Sequence, residues 1–449
     1  MSHAQNENLV TNGSFEAAGA ASDLPDGCDT WVPFEAVAPS FTWDTGTARS
    51  GQRSLKIEQP GKPGCYGRWE VTIPELPPAT HYRVSVYAKT AGVEIPARSV
   101  AVELSWFGPG KEGDLFHGKC GWQHVGRRAS PEGGWQRFER VVWRPAGAES
   151  LRVDLYLRWT EKGTVWFDDL HVVPVTAPQP RPVSIAVSGT RCGDTDPIAA
   201  ARYWAEQITL AVKEGADLIV LPEFSAGAAY DTPEQLPACS TPIPGPVTDL
   251  IAAAARNAGA LVVYNLLENS SGVLYNTSVL FGRSGAVVGT YRKVHLAIYV
   301  VWAGITPGAH FPVFDTDIGR AGMLVCWDNT FPESARTLAA HGAEIVITNN
   351  GTTSASRAAD SGVVIAQANT GGKAGCIIAA DGTVLALVEN DCPFVYATAD
   401  LAAICHWRGK PQFDDARSRM WNERRPEAYG PLTAASPAGH DASPRSPAM

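Results

Sequence analysis

The sequence predicts two domains of different class, an antiparallel β-sandwich followed by a layered α/β domain. Three observations support this prediction. Residues 8–173 contain runs in which apolar and polar residues alternate, separated by Gly and Pro, as is typical of antiparallel strands. A proline-rich stretch, "VTAPQPRPVS", follows and predicts an extended connector. Beyond it, apolar strand-like runs alternate with amphipathic helical segments, which indicates an α/β domain.

The strands of the first domain are predicted from their period of two. They read "YRVSVYAKT" from Tyr82, "VAVELSWF" from Val100, "FERVVW" from Phe138, "LRVDLYLRW" from Leu151 and "TVWFDDLHVV" from Thr164. Nine of the 14 tryptophans fall in this part of the chain, which favours an aromatic core or an aromatic binding surface.

The second domain begins with the buried strand "SIAVSG" and the helix "DPIAAARYWAEQITLAVKEG". Asp196 is the expected N-cap of this helix, with Pro in its first turn and Gly at its end. The strand "ADLIVLPE", the helix "VTDLIAAAARNAG" and the strands "ALVVYNLLE" and "LYNTSVLFG" follow. We predict a sandwich over 1–175, a linker over 176–182, a second domain over 183–428 and a disordered Pro/Ala/Ser-rich tail over 429–449.

Composition excludes several functions. The net charge of −9 argues against a broad nucleic-acid surface and against binding to anionic membranes, since both need a basic face. The start "MSHAQNENLV" has no basic and apolar signal, and no apolar run approaches a membrane span, so we expect a cytoplasmic protein. Nine scattered cysteines without a CxxC pair indicate neither a disulfide framework nor a zinc site.

Three reactive side chains end or follow predicted strands. Glu223 ends "DLIVLPEF", Lys293 follows "GAVVGTYRK", and Cys326 ends "GRAGMLVC" just before "WDNTFPESAR". Carboxyl ends of buried strands are where α/β proteins usually place their sites. Each residue alone is more often a cap, a solvated charge or an inert core thiol. Their joint occurrence, in this order, indicates a functional site.

Residues 183–410 resemble the nitrilase, or carbon–nitrogen hydrolase, superfamily. The resemblance lies in "GADLIVLPEF", "YNTSVLFGRSGAVVGTYRKVHL", "GITPG", "FPVFDTDIGRAGMLVCWDNTFPESARTLAAHGAEIVI" and "SRAADSGVVIAQANTGG". It implies a four-layer α-β-β-α sandwich, a small-molecule substrate, no cofactor and no catalytic metal. It also implies self-association into a homo-oligomer through this domain.

The same resemblance assigns catalytic roles. Cys326 matches the nucleophile that forms a thioester or thioimidate. Glu223 matches the general base that accepts the thiol proton and later activates water or another acceptor. Lys293 matches the oxyanion stabiliser, which acts beside the backbone N–H of Trp327.

Residues around these three are expected to position them or to edge the pocket. We interpret Asp328, Glu333 and Arg336 as groups that hold the nucleophile loop and cap the following helix, and His295 as structural. Asparagines after strands are candidates for the pocket edge, although Asn is also a common turn residue. The candidates are Asn329, Asn349 and Asn350, together with Thr352.

The stretch "AIYVVWA" at 297–303 departs from the family. Members commonly carry a second glutamate between the lysine and the "TPG" turn, and this stretch has no acid. We therefore expect the ammonium of Lys293 to depend more heavily on Glu223. Three interpretations stay open for the run that contains Tyr299 and Trp302. It forms a lid or dimer contact, a pocket wall for an apolar or aromatic substrate group, or part of a decayed site.

The first domain resembles a carbohydrate-binding-module-like, galactose-binding-like jelly roll over residues 8–173. The resemblance lies in "NLVTNGSFE" and "VWFDDLHVV", its two ends. It implies a structural calcium with Glu16 and Asp169 as candidate oxygen ligands, against the simpler alternative of a strand-end turn. A glycan is one candidate ligand of this domain, and a scaffold or lid role is the alternative.

The sequence thus favours a cysteine-dependent carbon–nitrogen hydrolase of amidase type, acting on a non-peptide amide, a nitrile or a related C–N bond. Acyl or amidine transfer to an amine uses the same intermediate and is the alternative within enzymes. A non-catalytic binding or assembly protein on the same fold is the alternative of a different class, since the second acid is missing.

Overall fold

The computed structural model describes residues 7–20, 23–61, 64–109, 118–128, 131–225, 233–369, 375–388, 392–406 and 414–433. The chain divides into two compact units. The first extends to Ala177 and includes Asp414 and the segment from Ser418 onward. The second begins at Pro178 and includes Asp415–Arg417.

The first unit contains two five-stranded sheets in which every paired strand is antiparallel. One sheet has the order β1-β4-β9-β6-β7 and the other β2-β3-β10-β5-β8. The strands are β1 Cys28–Trp31, β2 Ser40–Asp44, β3 Ser54–Pro60, β4 Tyr66–Ile73, β5 His81–Ala91, β6 Val100–Phe107, β7 Lys119–His124, β8 Gln136–Trp143, β9 Ser150–Arg158 and β10 Lys162–Val175, and a short helix, α1, covers Pro96–Ser99.

One apolar core joins the inner faces of these two sheets. It contains Trp69 of β4 and Trp106 of β6 from one sheet, and Val84 of β5 and Phe167 of β10 from the other. In β4 and β9, apolar residues of this core alternate with polar residues along the sequence, which is the pattern that predicted an antiparallel sandwich. The expected all-β class of the first domain is confirmed at this level.

The second unit contains two six-stranded sheets. Their orders are β15-β14-β13-β12-β11-β22 and β16-β17-β18-β19-β20-β21. The strands are β11 Pro182–Ser188, β12 Leu218–Val220, β13 Leu261–Ser270, β14 Val273–Phe281, β15 Val287–Arg292, β16 Val313–Thr316, β17 Gly319–Val325, β18 Ile345–Asn349, β19 Val364–Ala368, β20 Cys376–Ile378, β21 Val384–Leu387 and β22 Phe394–Asp400.

The second unit also contains helices. They are α2 Pro197–Lys213, α3 Leu236–Cys239, α4 Pro246–Ala258, α5 Ile298–Trp302, α6 Pro332–Ala340 and α7 Ala355–Ser361, and α8 Ala416–Glu423 and α9 Gly430–Thr433 follow near the C-terminus. Asp196 caps α2 by accepting from the N–H of Ala199, as the sequence predicts. The arrangement is the nitrilase-like layered sandwich that the resemblance implies.

The C-terminal boundary differs from the prediction. The second domain was expected to run to residue 428, whereas residues from Ser418 onward group with the first unit. The reason is a buried contact: Arg140 Nη1 donates to Asp414 Oδ1 at 2.6 Å and to Ser418 Oγ at 2.8 Å. Asp414 also accepts from the N–H and Nδ1 of His124. Of the tail predicted to be disordered, residues 429–433 are described and end in α9, and 434–449 lie outside the described residues.

Asp414 has a strongly perturbed pKa because of this contact. Burial alone would raise the pKa of its carboxyl group, but hydrogen bonds from His124 and the charge of Arg140 outweigh burial and lower it to about 2. The carboxylate therefore stabilises the first unit in its ionised form.

The two candidate calcium ligands bind a loop of their own chain. Glu16 Oε1 accepts from the N–H groups of Gln52 and Arg53, and Asp169 accepts from Arg49 Nη1 and Ser50 Oγ. Within the described ranges, no group of three or more His, Cys, Asp or Glu side chains is placed to hold a metal. The calcium site stays a prediction. No helix among the described residues is long and apolar enough to cross a bilayer.

Candidate active site

Glu223 and Lys293 form a buried ion pair. Lys293 Nζ lies 2.8 Å from Glu223 Oε1, and the two side chains are 0% and 6% exposed. Glu223 follows β12 by three residues, and Lys293 directly follows β15, so two strand ends of the first six-stranded sheet bring them together. Buried charges are tolerated only when they are paired, and this pair meets that requirement.

The pKa of Lys293 reflects its surroundings. Burial would lower the pKa of the ammonium, but the negative charges of Glu223 and Cys326 outweigh burial and raise it above its ordinary value. Within the described part of the chain, Glu223 is the one carboxylate within 4 Å of Nζ. This agrees with the expectation that Lys293 depends on Glu223 where a second glutamate is missing.

Cys326 lies on a strained turn at the carboxyl end of β17. Its φ is 46°, in the left-handed region that non-glycine residues rarely adopt, and a 3-10 turn covers Cys326–Thr330. Trp327 is the second residue of this turn. The first backbone N–H groups of a helical turn have no acceptor within the turn, so the N–H of Trp327 makes no hydrogen bond inside it. Gly351 packs against the backbone of Cys326, because a Cβ there would lie 2.6 Å from the carbonyl oxygen of Cys326.

Asp328 connects the lysine strand to the nucleophile turn. It is fully buried and accepts from the hydroxyl of Tyr291 at 2.7 Å and from the N–H of Val325 at 3.0 Å. It also accepts from the N–H of His295 at 2.8 Å and lies 3.0 Å from its Nδ1. These bonds fix the segments on either side of Lys293 and Cys326, as expected of a positioning residue.

The predicted pocket asparagines occupy two kinds of place. Asn329 Nδ2 donates to the carbonyl of Cys326 at 3.1 Å and to Thr348 Oγ1 at 2.6 Å, so it ties the nucleophile turn to β18. Asn349 is fully buried and hydrogen-bonds to Ser278 and to the carbonyl of Leu221. It therefore stabilises the strands that carry the site and does not line the pocket. Asn350 directly follows it with φ 63°, and its carbonyl also accepts from Asn329.

A sequence model of the carbon–nitrogen hydrolase family matches residues 184–408, which is half of the chain. The chain belongs to this family. The human omega-amidase is 30% identical over 244 residues, which cover 47% of this chain and 87% of that protein. A nitrilase of Pyrococcus abyssi is 40% identical over 139 residues, so this chain spans about half, 52%, of that relative. The crystal structure of a Helicobacter pylori carbon–nitrogen hydrolase covers 56% of this chain and 98% of its own at 22% identity, with a TM-score of 0.46.

The acid-free stretch of this family member forms the short helix α5. Val300 is buried against Leu236 and Leu267, whereas Tyr299 and Trp302 are 52% and 74% exposed. Burial raises the pKa of the Tyr299 hydroxyl, and the charges of Cys326 and Glu223 raise it further.

Sequence reasoning assigned no role to several polar residues of the β13–β14 hairpin. Asn276 Nδ2 donates to Glu223 Oε1 at 2.9 Å, and Asn265 Oδ1 accepts from the N–H of Phe224 at 2.7 Å. Both asparagines are fully buried. The sequence does show an asparagine inside each of two strand-like runs, "VVYNLL" and "YNTSVL", and a buried amide needs hydrogen-bond partners.

Proposed function

We propose that the second unit is a cysteine-dependent amidase-type hydrolase. It acts on a non-peptide amide, a nitrile or a related C–N bond through a covalent intermediate on Cys326. The observation that supports this most directly is the buried Glu223–Lys293 pair, 2.8 Å apart, at the ends of two strands of one sheet. An ion pair kept only for stability gains little from such burial.

The reaction proceeds in two halves. Glu223 accepts the thiol proton of Cys326, and the thiolate attacks the amide carbon. Lys293 and the backbone N–H of Trp327 stabilise the negative oxygen that develops. Ammonia or an amine leaves with a proton returned from Glu223. Water, deprotonated by Glu223, then attacks the thioester, releases the acid and restores the thiol.

The helix α5 exposes Tyr299 and Trp302, and we propose these side chains as a wall of the substrate pocket. We infer a substrate whose acyl group carries an apolar or aromatic part. Residues 297–303 contain no acidic side chain that could bind an amino group of the substrate.

The test is ammonia release from a panel of aliphatic and aromatic amides and nitriles. We expect turnover by the wild-type chain, with the highest kcat/KM for apolar or aromatic acyl groups, and none by Cys326→Ala. Added hydroxylamine that captures the acyl group identifies transfer to an amine. No turnover by a folded wild-type chain across the panel contradicts the proposal and favours the non-catalytic alternative.

Three finer expectations stay predictions. They are a homo-oligomer formed through the second unit, a glycan as ligand of the first unit, and a cytoplasmic location. A jelly-roll topology for the first unit is likewise proposed from its two end motifs and its two antiparallel sheets. Light scattering tests the oligomer, and deletion of residues 1–175 tests whether the first unit is needed for turnover.

A further inference from the structure

A buried chain of side-chain hydrogen bonds ends on the proposed general base. Asn276 Nδ2 donates to Glu223 Oε1 at 2.9 Å, and Asn276 Oδ1 accepts from Asn265 Nδ2 at 2.8 Å. Asn265 Oδ1 accepts in turn from the backbone N–H of Phe224 at 2.7 Å. Both asparagine side chains belong to fully buried residues, so water does not replace these partners.

The backbone determines which way each amide of this chain points. The N–H of Phe224 can only donate, so Asn265 must turn its oxygen toward it and its nitrogen toward Asn276. Asn276 must then turn its oxygen to Asn265 and its nitrogen to Glu223. Asn276 therefore presents a fixed donor to the carboxylate.

A second branch anchors the same network at its other end. Asn265 Nδ2 also donates to Ser278 Oγ at 3.1 Å, and Ser278 donates to Asn349 Oδ1 at 2.6 Å. Asn349 Nδ2 donates to the backbone carbonyl of Leu221, two residues before Glu223, at 2.5 Å. The network thus begins and ends on the backbone that carries the general base, and it joins both sheets of the second unit.

The two oxygens of Glu223 consequently differ. Oε1 accepts from both Asn276 and Lys293, at 2.9 Å and 2.8 Å. Oε2 makes no hydrogen bond or ion pair within the part of the chain that the structure describes. A carboxylate with one oxygen held by two donors keeps a fixed orientation, and its other oxygen is available for a proton.

We propose that Asn276 is a positioning residue of the reaction, which rests on the function proposed above. It holds the carboxylate of Glu223 in one orientation, so that Oε2 takes the thiol proton of Cys326 and later the proton of water. Asn276 acts through Glu223, to which its amide donates. Phe224, at φ 54°, follows the base directly, and Asn265 holds this strained residue in the same way.

The test replaces Asn276 by Asp and measures how fast iodoacetamide alkylates Cys326 as pH is varied. Peptide mass spectrometry separates this cysteine from the other eight. The variant replaces a donor to Glu223 by an acceptor of the same shape. Because a proton on Glu223 then becomes more favourable, we expect the acidic limb of the alkylation profile to move up by about 1 to 2 pH units. The acidic limb of kcat/KM is expected to move with it.

Asn269→Asp is the matched control. Asn269 lies in the same hairpin but donates to Ser240 Oγ, away from Glu223, so its pH profile should stay at the wild-type position. Asn276→Ser, which removes the donor without adding a charge, is the second variant if Asn276→Asp does not fold. A smaller upward shift is expected for it.

An unshifted profile in a folded Asn276 variant overturns the proposal. The alkylation readout separates this failure from failure of the proposed function, because it needs no substrate. If the wild-type chain hydrolyses amides but the alkylation profile of the Asn276 variant is unshifted, the proposed hydrolase function stands and the proposed role of Asn276 is wrong. If the alkylation profile shifts but the wild-type chain hydrolyses no amide, the role of Asn276 at Glu223 stands and the proposed hydrolase function is wrong.

Discussion

Replacing Lys293 by Met removes a buried cation and leaves its partner in place. The Lys293 side chain is 0% exposed and that of Glu223 is 6% exposed. Breaking a buried ion pair by removing one partner costs about 3 to 5 kcal/mol. Glu223 keeps its hydrogen bond from Asn276, which limits this cost. We therefore expect a loss near the lower end, about 3 kcal/mol, which corresponds to a fall in Tm of roughly 6 to 12 °C.

The same variant should lose more activity than stability can explain. Removal of one oxyanion donor lowers kcat by about 10²- to 10³-fold, and loss of one of the two donors that hold Glu223 adds to that loss. Thermal unfolding by circular dichroism gives the first quantity, and ammonia release under saturating substrate gives the second. Lys213→Met, at the exposed end of α2, is the matched control and should change stability by less than about 0.5 kcal/mol. A Lys293→Met protein with wild-type Tm and kcat would refute both the ion pair and the oxyanion role.

Three further predictions concern other parts of the structure. Asp414→Asn should lower the stability of the first unit by about 2 kcal/mol at pH 7, because the folded pKa of Asp414, about 2, lies below its ordinary value of 3.8. This contribution is present above pH 4 and is lost as pH falls toward 2, so urea unfolding at pH 7 and pH 2.5 should show the difference shrinking. Asp328→Asn should lower both Tm and kcat, since an amide can satisfy at most part of the four donor groups around it, with a stability cost of about 2 to 4 kcal/mol. Gly351→Ala should lower kcat by about tenfold or more, because its Cβ would meet the carbonyl of Cys326 at φ +107°.

Each of these has an outcome that counts against it. An Asp414→Asn deficit that stays constant with pH would show that the carboxylate is not the stabilising form. Gly215→Ala is the control for Gly351→Ala, since Gly215 has φ +82° and no atom within 4 Å of its Cβ. Equal loss of kcat in both glycine variants would mean that backbone strain alone, and not contact with the nucleophile, explains the effect.

Local patterns predicted the elements that they encode directly. The period of two predicted β5, β6, β8, β9 and β10, and the Asp cap with a following proline predicted the start of α2. The strands β1 to β4 and β7 were not predicted individually, although β3 and β4 also alternate apolar and polar residues. The C-terminal boundary was placed too late, because the contact between Asp414 and Arg140 joins residues 274 positions apart. No local pattern reports such a contact.

The candidate site was also predicted only in part. Glu223 and Lys293 are 70 residues apart, so only the ordered strand-end motifs and their family resemblance predicted that they meet. Asn349 was interpreted as a pocket or turn residue because asparagine after a strand is common in both places. The structure instead buries it in a network with Asn276, and the direction of that network depends on backbone groups that a sequence does not locate.

The proposed mechanism requires that Cys326 form a covalent intermediate with substrate after Glu223 accepts its thiol proton. Rapid acid quenching during turnover of an amide identified in the panel, followed by peptide mass spectrometry, tests it most directly. We predict an acyl mass on the peptide that contains Cys326 in the wild-type chain, and its absence in both Cys326→Ala and Glu223→Gln. Turnover with no acyl mass on Cys326, or turnover that survives in Cys326→Ala, would contradict the account.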